Sequence, residues 1–217
     1  MNKLIGYNEK EIPVKRQNEH NEKVGIIYPG QAYYLSAPSL FYLQPIFEEL
    51  KIHYFGIDTQ YGNNSDYKKL SLDEKEIWLN KDSELIGQYI NDNTKDYKQR
   101  LFIAKSLGTG HLYNQRKANY LGKHDILVFQ TPVIPYNELQ ELLFEKGHTS
   151  LIIYGTNDSI MKRDKFPRIK TCKNVEVIEI DNAGHCFEED NKIEESINNL
   201  KKVMLGINRF LVKILAL

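Results

Sequence analysis

The sequence lacks an excess of charge of either sign, because its 217 residues include 29 Lys and Arg against 29 Asp and Glu. A balanced chain generates no overall field that would attract nucleic acid or an anionic lipid surface. The sequence also lacks the run of about 20 apolar residues that a membrane span requires. Its most apolar stretch, residues 210–217, is short and contains Lys213. We therefore expect no nucleic acid partner and no membrane span, and a small neutral molecule fits this chain as well as any other partner.

Cysteine is scarce, with only Cys172 and Cys186 in the chain. These two residues could pair in principle, but the first residues are polar and charged and do not form a secretory signal. We therefore expect two reduced thiols and a cytoplasmic location. The sequence also shows no cluster of metal-ligating residues and no glycine-rich phosphate loop, so we expect no metal, no cofactor and no nucleotide.

Apolar blocks alternate with helical patterns along the chain, and the length suits a single domain over residues 1–217. The patterns predict strands at 24–28, 52–57, 101–105, 125–129, 149–154 and 175–180, and helices from 36 or 38 to 50, and at 72–97, 108–121, 137–146 and 190–206. Most of these strands carry no inward polar residue, which is typical of parallel strands covered on both faces. We therefore predict an α/β fold with a mostly parallel, doubly wound sheet of about six to eight strands and helices on both faces.

The two ends of the chain carry weaker signals. Residues 1–20 contain two short apolar patches, and Pro13 favours the edge of a sheet because proline cannot donate to a ladder. We expect an N-terminal edge hairpin there. Residues 207–217 form an apolar extension at helical spacing beyond the expected end of the fold. This extension either forms an oligomerisation helix or lies on the core.

The stretch Leu101–Gly110 reads as a strand, a sharp turn and a helix, with Ser106 at the apex. Such a turn brings backbone segments close together, so it needs small residues two positions before and after the serine. Ala104 and Gly108 occupy those positions. The turn exposes the serine hydroxyl as a nucleophile beside the N–H of the next residue. Short patterns of this kind also occur by chance, and Ser106 could equally be an ordinary turn residue.

Two further polar residues follow later strands, namely Asp158 after 149–154 and His185 after 175–180. Taken singly, Asp158 could be a turn or capping residue and His185 a loop residue without a task. In a parallel sheet, however, the carboxyl ends of the strands meet at one edge, where sites form. The three residues occur in the order of nucleophile, acid and base, which favours a catalytic triad.

At this point the sequence resembles the α/β-hydrolase superfamily. The segment A-K-S-L-G looks like its nucleophile elbow, G-T-N-D like its acid loop, and N-A-G-H-C-F like its histidine loop. The segment Y-P-G-Q-A, after the first buried strand, looks like the oxyanion-hole loop. The resemblance covers about residues 20–206 and departs from the common pattern at Ala104 and at Pro29, where many members have glycine and histidine.

The resemblance implies a serine hydrolase in which His185 is the general base for Ser106 and Asp158 orients it. Backbone N–H groups of Leu107 and of Gln31, or failing that Ala32, would form the oxyanion hole. His111 is a rival base by sequence, but we expect it to point away from the elbow. Lys105, which precedes the serine, is expected to be solvated or snorkelling, and the sequence gives it no role.

The segment after Phe129 is too short for the helical lid of many relatives, so we expect no cap domain and an open site for a small carboxylic ester or thioester. Ala32, Tyr33 and Tyr136 are the candidate substrate-binding residues, with Tyr28, Tyr34 and Tyr61 as further tyrosines near the expected pocket walls. The same parts would serve a peptidase, an amidase or an acyltransferase. A binding protein that keeps the fold without catalysis is the alternative from another class.

Overall fold

The computed structural model describes residues 4–17, 22–134, 139–140, 143, 147–160 and 172–215. The strands are β1 Val14–Gln17, β2 Lys23–Tyr28, β3 Ile52–Ile57, β4 Gln99–Lys105, β5 Ile126–Gln130, β6 Ser150–Gly155 and β7 Val175–Ile180. The α-helices are α1 Pro38–Phe41, α2 Leu43–Glu49, α3 Ser65–Lys69, α4 Leu72–Thr94, α5 Gly108–Lys117 and α6 Ile193–Ile214, and two 3-10 helices lie at Tyr7–Glu9 and Tyr61–Asn63. The helix predicted over 137–146 falls largely outside the described residues.

These seven strands form one sheet in the order β1-β3-β2-β4-β5-β6-β7. All neighbouring strands run parallel except β1, which pairs antiparallel with β3 at the edge. The predicted mostly parallel sheet is therefore confirmed. After β3 the chain returns to the other side of β2 to form β4, so the direction of winding switches between β2 and β4. In doubly wound sheets, the crevice at such a switch point is where ligands bind.

Alternate residues of each buried strand face opposite layers, as the two-residue period of a strand requires. In β4, Phe102 and Ala104 pack with residues of α4 and α5, whereas Leu101 and Ile103 pack with α1, α2 and α6. All four are essentially without solvent exposure. Since both faces of the strand are covered, its apolar run is continuous and does not alternate with polar residues.

The two ends of the chain contact the sheet differently, because the N-terminal segment pairs at its edge and the C-terminal helix packs on one face. In the N-terminal segment, Ile5 and Glu11 form an isolated antiparallel bridge, and β1 follows as the edge strand. At the other end, α6 continues to Ile214, and its residues Ile207, Phe210 and Leu211 are buried in the layer that it shares with α1 and α2. No helix among the described residues is long and apolar enough to cross a membrane.

A buried carboxylate, Asp82 of α4, joins the N-terminal segment to the loop after β3. Its Oδ1 accepts from the Tyr7 N–H at 2.6 Å, and its Oδ2 accepts from the Tyr61 hydroxyl at 2.7 Å and from Trp78 Nε1 at 3.0 Å. Burial raises the pKa of this carboxyl, although the three hydrogen bonds act in the opposite direction. Asp82 thus fixes the 3-10 helix Tyr61–Asn63, which packs against the loop after β2.

We predict that Asp82→Ala lowers the free energy of unfolding by about 2–3 kcal/mol, because three buried donors lose their acceptor. Urea denaturation measures this difference. Glu84→Ala, at an exposed position of the same helix, is the matched control and changes the free energy by less than about 0.5 kcal/mol. Equal losses in the two variants would contradict the anchoring role of Asp82.

Candidate active site

Ser106 lies at the apex of a strained turn that follows the last residue of β4. Its φ is +51°, in the left-handed region that residues other than glycine rarely adopt. Gly108 makes the turn possible, because a Cβ there would lie 2.5 Å from the Tyr28 carbonyl oxygen and 2.7 Å from the Pro29 carbonyl oxygen. The Ser106 N–H donates to the Gln130 carbonyl at 3.0 Å, which ties the turn to the end of β5. The serine is partly exposed, so its hydroxyl is accessible.

The structure brings Ser106, His185 and Asp158 together from the ends of β4, β7 and β6. His185 Nδ1 lies 2.8 Å from Asp158 Oδ2, and its Nε2 lies 2.8 Å from Ser106 Oγ. A carboxylate can only accept, so the ring donates its Nδ1–H to Asp158 and its Nε2 accepts from the serine hydroxyl. The three side chains thus form a continuous row of hydrogen bonds from a buried acid to a partly exposed alcohol.

The Asp158 side chain is fully buried, whereas the His185 side chain is 21% exposed. Burial alone would raise the pKa of the Asp158 carboxyl. Hydrogen bonds from His185 and from the Ile160 N–H, together with electrostatic interactions with His185 and with the Lys105 ammonium, outweigh burial and hold this pKa below its ordinary value. Asp158 therefore stays ionised at neutral pH and is able to stabilise a positive charge on the imidazole.

The loop after β2 lies directly against the serine. A Cβ on Gly30 would lie 3.2 Å from the Ser106 Cβ, so a side chain there would crowd the serine. The Gly30 N–H donates to the Tyr33 carbonyl, and the Gln31 carbonyl accepts from the Gly62 N–H at 2.6 Å. Within the described part of the chain, the N–H groups of Gln31 and Leu107 have no acceptor. Two backbone donors are therefore left free in the loops that flank Ser106.

The candidate substrate-binding residues take different positions. Ala32 is exposed beside Gln31, and Tyr33 is half-buried with its hydroxyl accepting from the Ser39 N–H at 3.1 Å. Tyr136 lies outside the described residues. Two further tyrosines near the expected walls, Tyr28 and Tyr61, are buried in the packing of the fold.

Two other residues, His111 and Cys186, could compete with His185 as the base or with Ser106 as the nucleophile. His111 of α5 is fully buried, with its Nδ1 2.8 Å from Ser83 Oγ. Burial lowers the pKa of His111 to about 3, so this ring stays neutral. Cys186, the residue after His185, is an unpaired cysteine that is exposed as a whole residue. Partial desolvation of its thiol raises its pKa, which opposes the thiolate form. Neither residue replaces His185 or Ser106 in the row.

Lys105 differs from the sequence expectation of a solvated or snorkelling side chain, because it is completely buried. Its Nζ donates to the Thr131 hydroxyl and to the backbone carbonyl of His185. The pattern of apolar residues could not reveal this, since a lysine at the end of a strand can point either way. No local signal in the sequence identifies its partners, because Thr131 and the His185 carbonyl come from other loops.

The connection between β5 and β6 spans only residues 131–149, and no cap domain is present among the described residues. This agrees with the predicted absence of a cap. The described residues also contain no group of three or more His, Cys, Asp or Glu side chains that could hold a metal ion.

No protein-family model matches the sequence, and no curated protein matches it significantly. Solved structures do match. Est1E from Butyrivibrio proteoclasticus, in a structure with bound ferulic acid, is 14% identical with a TM-score of 0.70, and the match covers 98% of this chain and 99% of that chain.

Two further structures have the same architecture. An α/β serine hydrolase without a lid from Xanthomonas campestris is 11% identical with a TM-score of 0.63, over 96% of this chain and 93% of that chain. Alpha/beta hydrolase domain-containing protein 10 from mouse is 11% identical with a TM-score of 0.67, over 94% and 95%. Identities this low establish the fold and not the reaction. The protein therefore has the fold of the α/β-hydrolases.

Proposed function

We propose that the protein is a serine hydrolase that cleaves a small carboxylic ester or thioester through an acyl-enzyme on Ser106. The observation that carries this proposal is the row from Ser106 Oγ through the imidazole of His185 to Asp158, with 2.8 Å at each step. A serine hydroxyl is a weak nucleophile near neutral pH and needs a base at this distance. The fold that the chain shares with esterases and serine hydrolases supports the same conclusion.

In the acylation step, His185 Nε2 takes the proton of Ser106 as Oγ attacks the acyl carbon. The resulting imidazolium is stabilised by Asp158, and it then protonates the leaving alcohol or thiol as the tetrahedral intermediate collapses. In deacylation, water replaces Ser106 as the nucleophile and His185 repeats both transfers. The acid product leaves and the serine regains its proton.

The oxyanion of the tetrahedral intermediate would be bound by the N–H groups of Gln31 and Leu107. Both groups lie in loops next to Ser106, and neither has an acceptor within the described residues. A preorganised donor of this kind typically contributes about 3 kcal/mol of transition-state stabilisation. Pro29 has no side-chain donor, so the loop after β2 would bind the oxyanion through backbone N–H groups only.

The connection between β5 and β6, at residues 131–149, favours a small or surface-presented acyl group over a long chain held in a tunnel. Ferulic acid, the ligand of Est1E, is an acid of that size class. Ala32, Tyr33 and Tyr136 remain the proposed contacts for the acyl group. We also propose a cytoplasmic location, which the two free thiols support.

The same row of residues would serve amide hydrolysis or acyl transfer, and the acceptor and leaving group would decide between them. A non-catalytic binding protein is the remaining alternative. It is disfavoured because a strained serine turn and a buried, ionised acid are costly features that a scaffold does not need.

We predict that Ser106→Ala lowers kcat for p-nitrophenyl acetate at least about a thousandfold, because the attacking oxygen is lost. It should also abolish labelling by a fluorophosphonate probe. Ser65→Ala, at an exposed serine on α3, is the control and should keep full activity and labelling. Undiminished labelling of Ser106→Ala would show that another residue is the nucleophile, and absence of labelling in the folded wild type would favour the binding protein.

We predict that Asp158→Asn lowers kcat by roughly 10³–10⁴-fold, because an amide that donates toward Nδ1 selects the wrong tautomer of His185. The amide oxygen can still accept from the Ile160 N–H, so the thermal midpoint should change little. Steady-state kinetics and thermal unfolding measure the two effects. Ser159→Ala, at the exposed neighbouring position, serves as control. Activity of Asp158→Asn within a few-fold of wild type would exclude Asp158 as the acid.

A further inference from the structure

Lys105 is the last residue of β4 and has no solvent exposure, although a buried ammonium is expensive to desolvate. Among the described residues, no carboxylate lies within ion-pair distance of its Nζ. The neighbouring negative groups act on it only at longer range. A charge that is buried without a direct counterion calls for a physical reason, because an apolar side chain would pack at the same place at lower cost.

The partners of the ammonium come from two other loops of the site. One N–H donates to the hydroxyl of Thr131, directly after β5, and another donates to the backbone carbonyl of His185. The ammonium also lies 5.1 Å from the ring centre of Tyr33 and 5.0 Å from that of Phe187, at cation–π distance. Lys105 therefore touches the loop after β2, the loop after β5 and the histidine loop at once.

The histidine loop is a compact turn that this contact joins to the end of β4. The Gly184 N–H donates to the Glu188 carbonyl at 2.7 Å and the Phe187 N–H donates to the Gly184 carbonyl, so the loop is a tight turn closed on itself. Phe187 has a φ of +68°, which shows that the turn is strained. The His185 carbonyl points inward from this turn to the Lys105 ammonium. This contact ties the residue that carries the imidazole to the strand that directly precedes Ser106.

We propose that Lys105 is a positioning residue, whose ammonium holds the His185 backbone so that Nε2 stays within hydrogen-bond distance of Ser106 Oγ. This inference rests on the proposed serine hydrolase function. The serine and the tether of its base are consecutive residues of one chain segment, so the distance between nucleophile and base is set at the end of β4. The same positive charge favours the ionised form of Asp158. Small displacements of a catalytic group cost large factors in rate, which gives such a tether its value.

The tether and a purely structural role of Lys105 predict different effects of the substitution Lys105→Met, and the tether predicts the following. Removing the ammonium relieves its desolvation cost, whereas the Thr131 hydroxyl and the His185 carbonyl lose a donor, so the two effects on stability oppose each other. Lys105→Met should therefore change the thermal midpoint little while it lowers kcat about 10- to 100-fold. KM should change less than about threefold, because the tether acts on the base and not on substrate binding.

Arg100→Met provides a matched control on the same strand. Arg100 lies near the other end of β4, with its NH2 group 2.6 Å from Asp125 Oδ2 in a nearly buried ion pair. Its removal leaves Asp125 without its charged partner, so the thermal midpoint should fall by roughly 5 °C or more while kcat stays within about twofold of wild type. Lys105→Met is thus expected to lower kcat but not the thermal midpoint, whereas Arg100→Met is expected to lower the thermal midpoint but not kcat.

Thr131→Val is a second, milder test that removes only the hydroxyl that accepts from Lys105. Valine keeps the branched shape at a position whose φ is +43°, so the backbone strain is unchanged. We expect kcat to fall about 3- to 10-fold with an unchanged KM. This variant decides the matter if Lys105→Met fails to fold.

The pH profile gives a readout that a structural role would not move. Burial lowers the pKa of Lys105 to about 8, against the opposing effect of nearby negative groups. The groups that face it are Tyr33, Asp158, His185, Cys186 and Glu188. Above about pH 8 the ammonium loses its charge, and its hydrogen bond to the His185 carbonyl weakens because charged donors bind more strongly. In wild type, kcat should decline above that pH toward the value of Lys105→Met, and the variant should lack this decline.

The outcomes separate the two proposals. If Ser106→Ala is inactive while Lys105→Met and Thr131→Val keep kcat within twofold of wild type, the tether is wrong and the serine hydrolase stands. Loss of thermal stability in Lys105→Met in proportion to its loss of kcat would also overturn the tether in favour of a structural lysine. If Ser106→Ala retains activity, the proposed function itself fails.

Discussion

The tight turn between β4 and α5 is the constraint on which the site depends. It places Ser106 in a left-handed conformation, and it brings Gly108 within reach of the Tyr28 and Pro29 carbonyls, where no side chain fits. The turn is strained, so the surrounding structure must hold it in place. The parallel sheet does this, because the Ser106 N–H is bound by the end of β5 and the serine Cβ is approached by Gly30 from the loop after β2.

The other parts of the site lie at the carboxyl ends of neighbouring strands of the same sheet. The winding switches between β2 and β4, so the loops after these strands form a crevice beside the serine. The acid and the base come from the ends of β6 and β7, on the other side of β4. The buried polar groups that result are costly one by one, but hydrogen bonds compensate them: His185 and the Ile160 N–H satisfy Asp158, and Thr131 and the His185 carbonyl satisfy Lys105.

The buried strands and the meeting of Ser106, Asp158 and His185 could be predicted from the sequence, because continuous apolar runs identify covered parallel strands and strand ends converge. The role that we propose for Lys105 could not be predicted from the sequence. Whether a lysine at a strand end enters the core depends on side-chain partners from distant loops, here Thr131 and the His185 carbonyl, and no local pattern encodes them. For Tyr28 and Tyr61 the sequence left a place at the pocket wall and a place in the packing of the fold open, and the structure buries both, with their hydroxyls donating to Gln115 and Asp82.

The central claim is that Ser106 becomes acylated during turnover. The most direct measurement is peptide mass spectrometry of the wild-type protein, quenched in acid during hydrolysis of p-nitrophenyl acetate, when acyl-enzyme accumulates if deacylation is slow. The account predicts an acetyl group on the peptide that contains Ser106 and its loss when turnover is complete. An acetyl group that is instead found on Cys186 or Lys105, and that disappears at the rate of turnover, would contradict it.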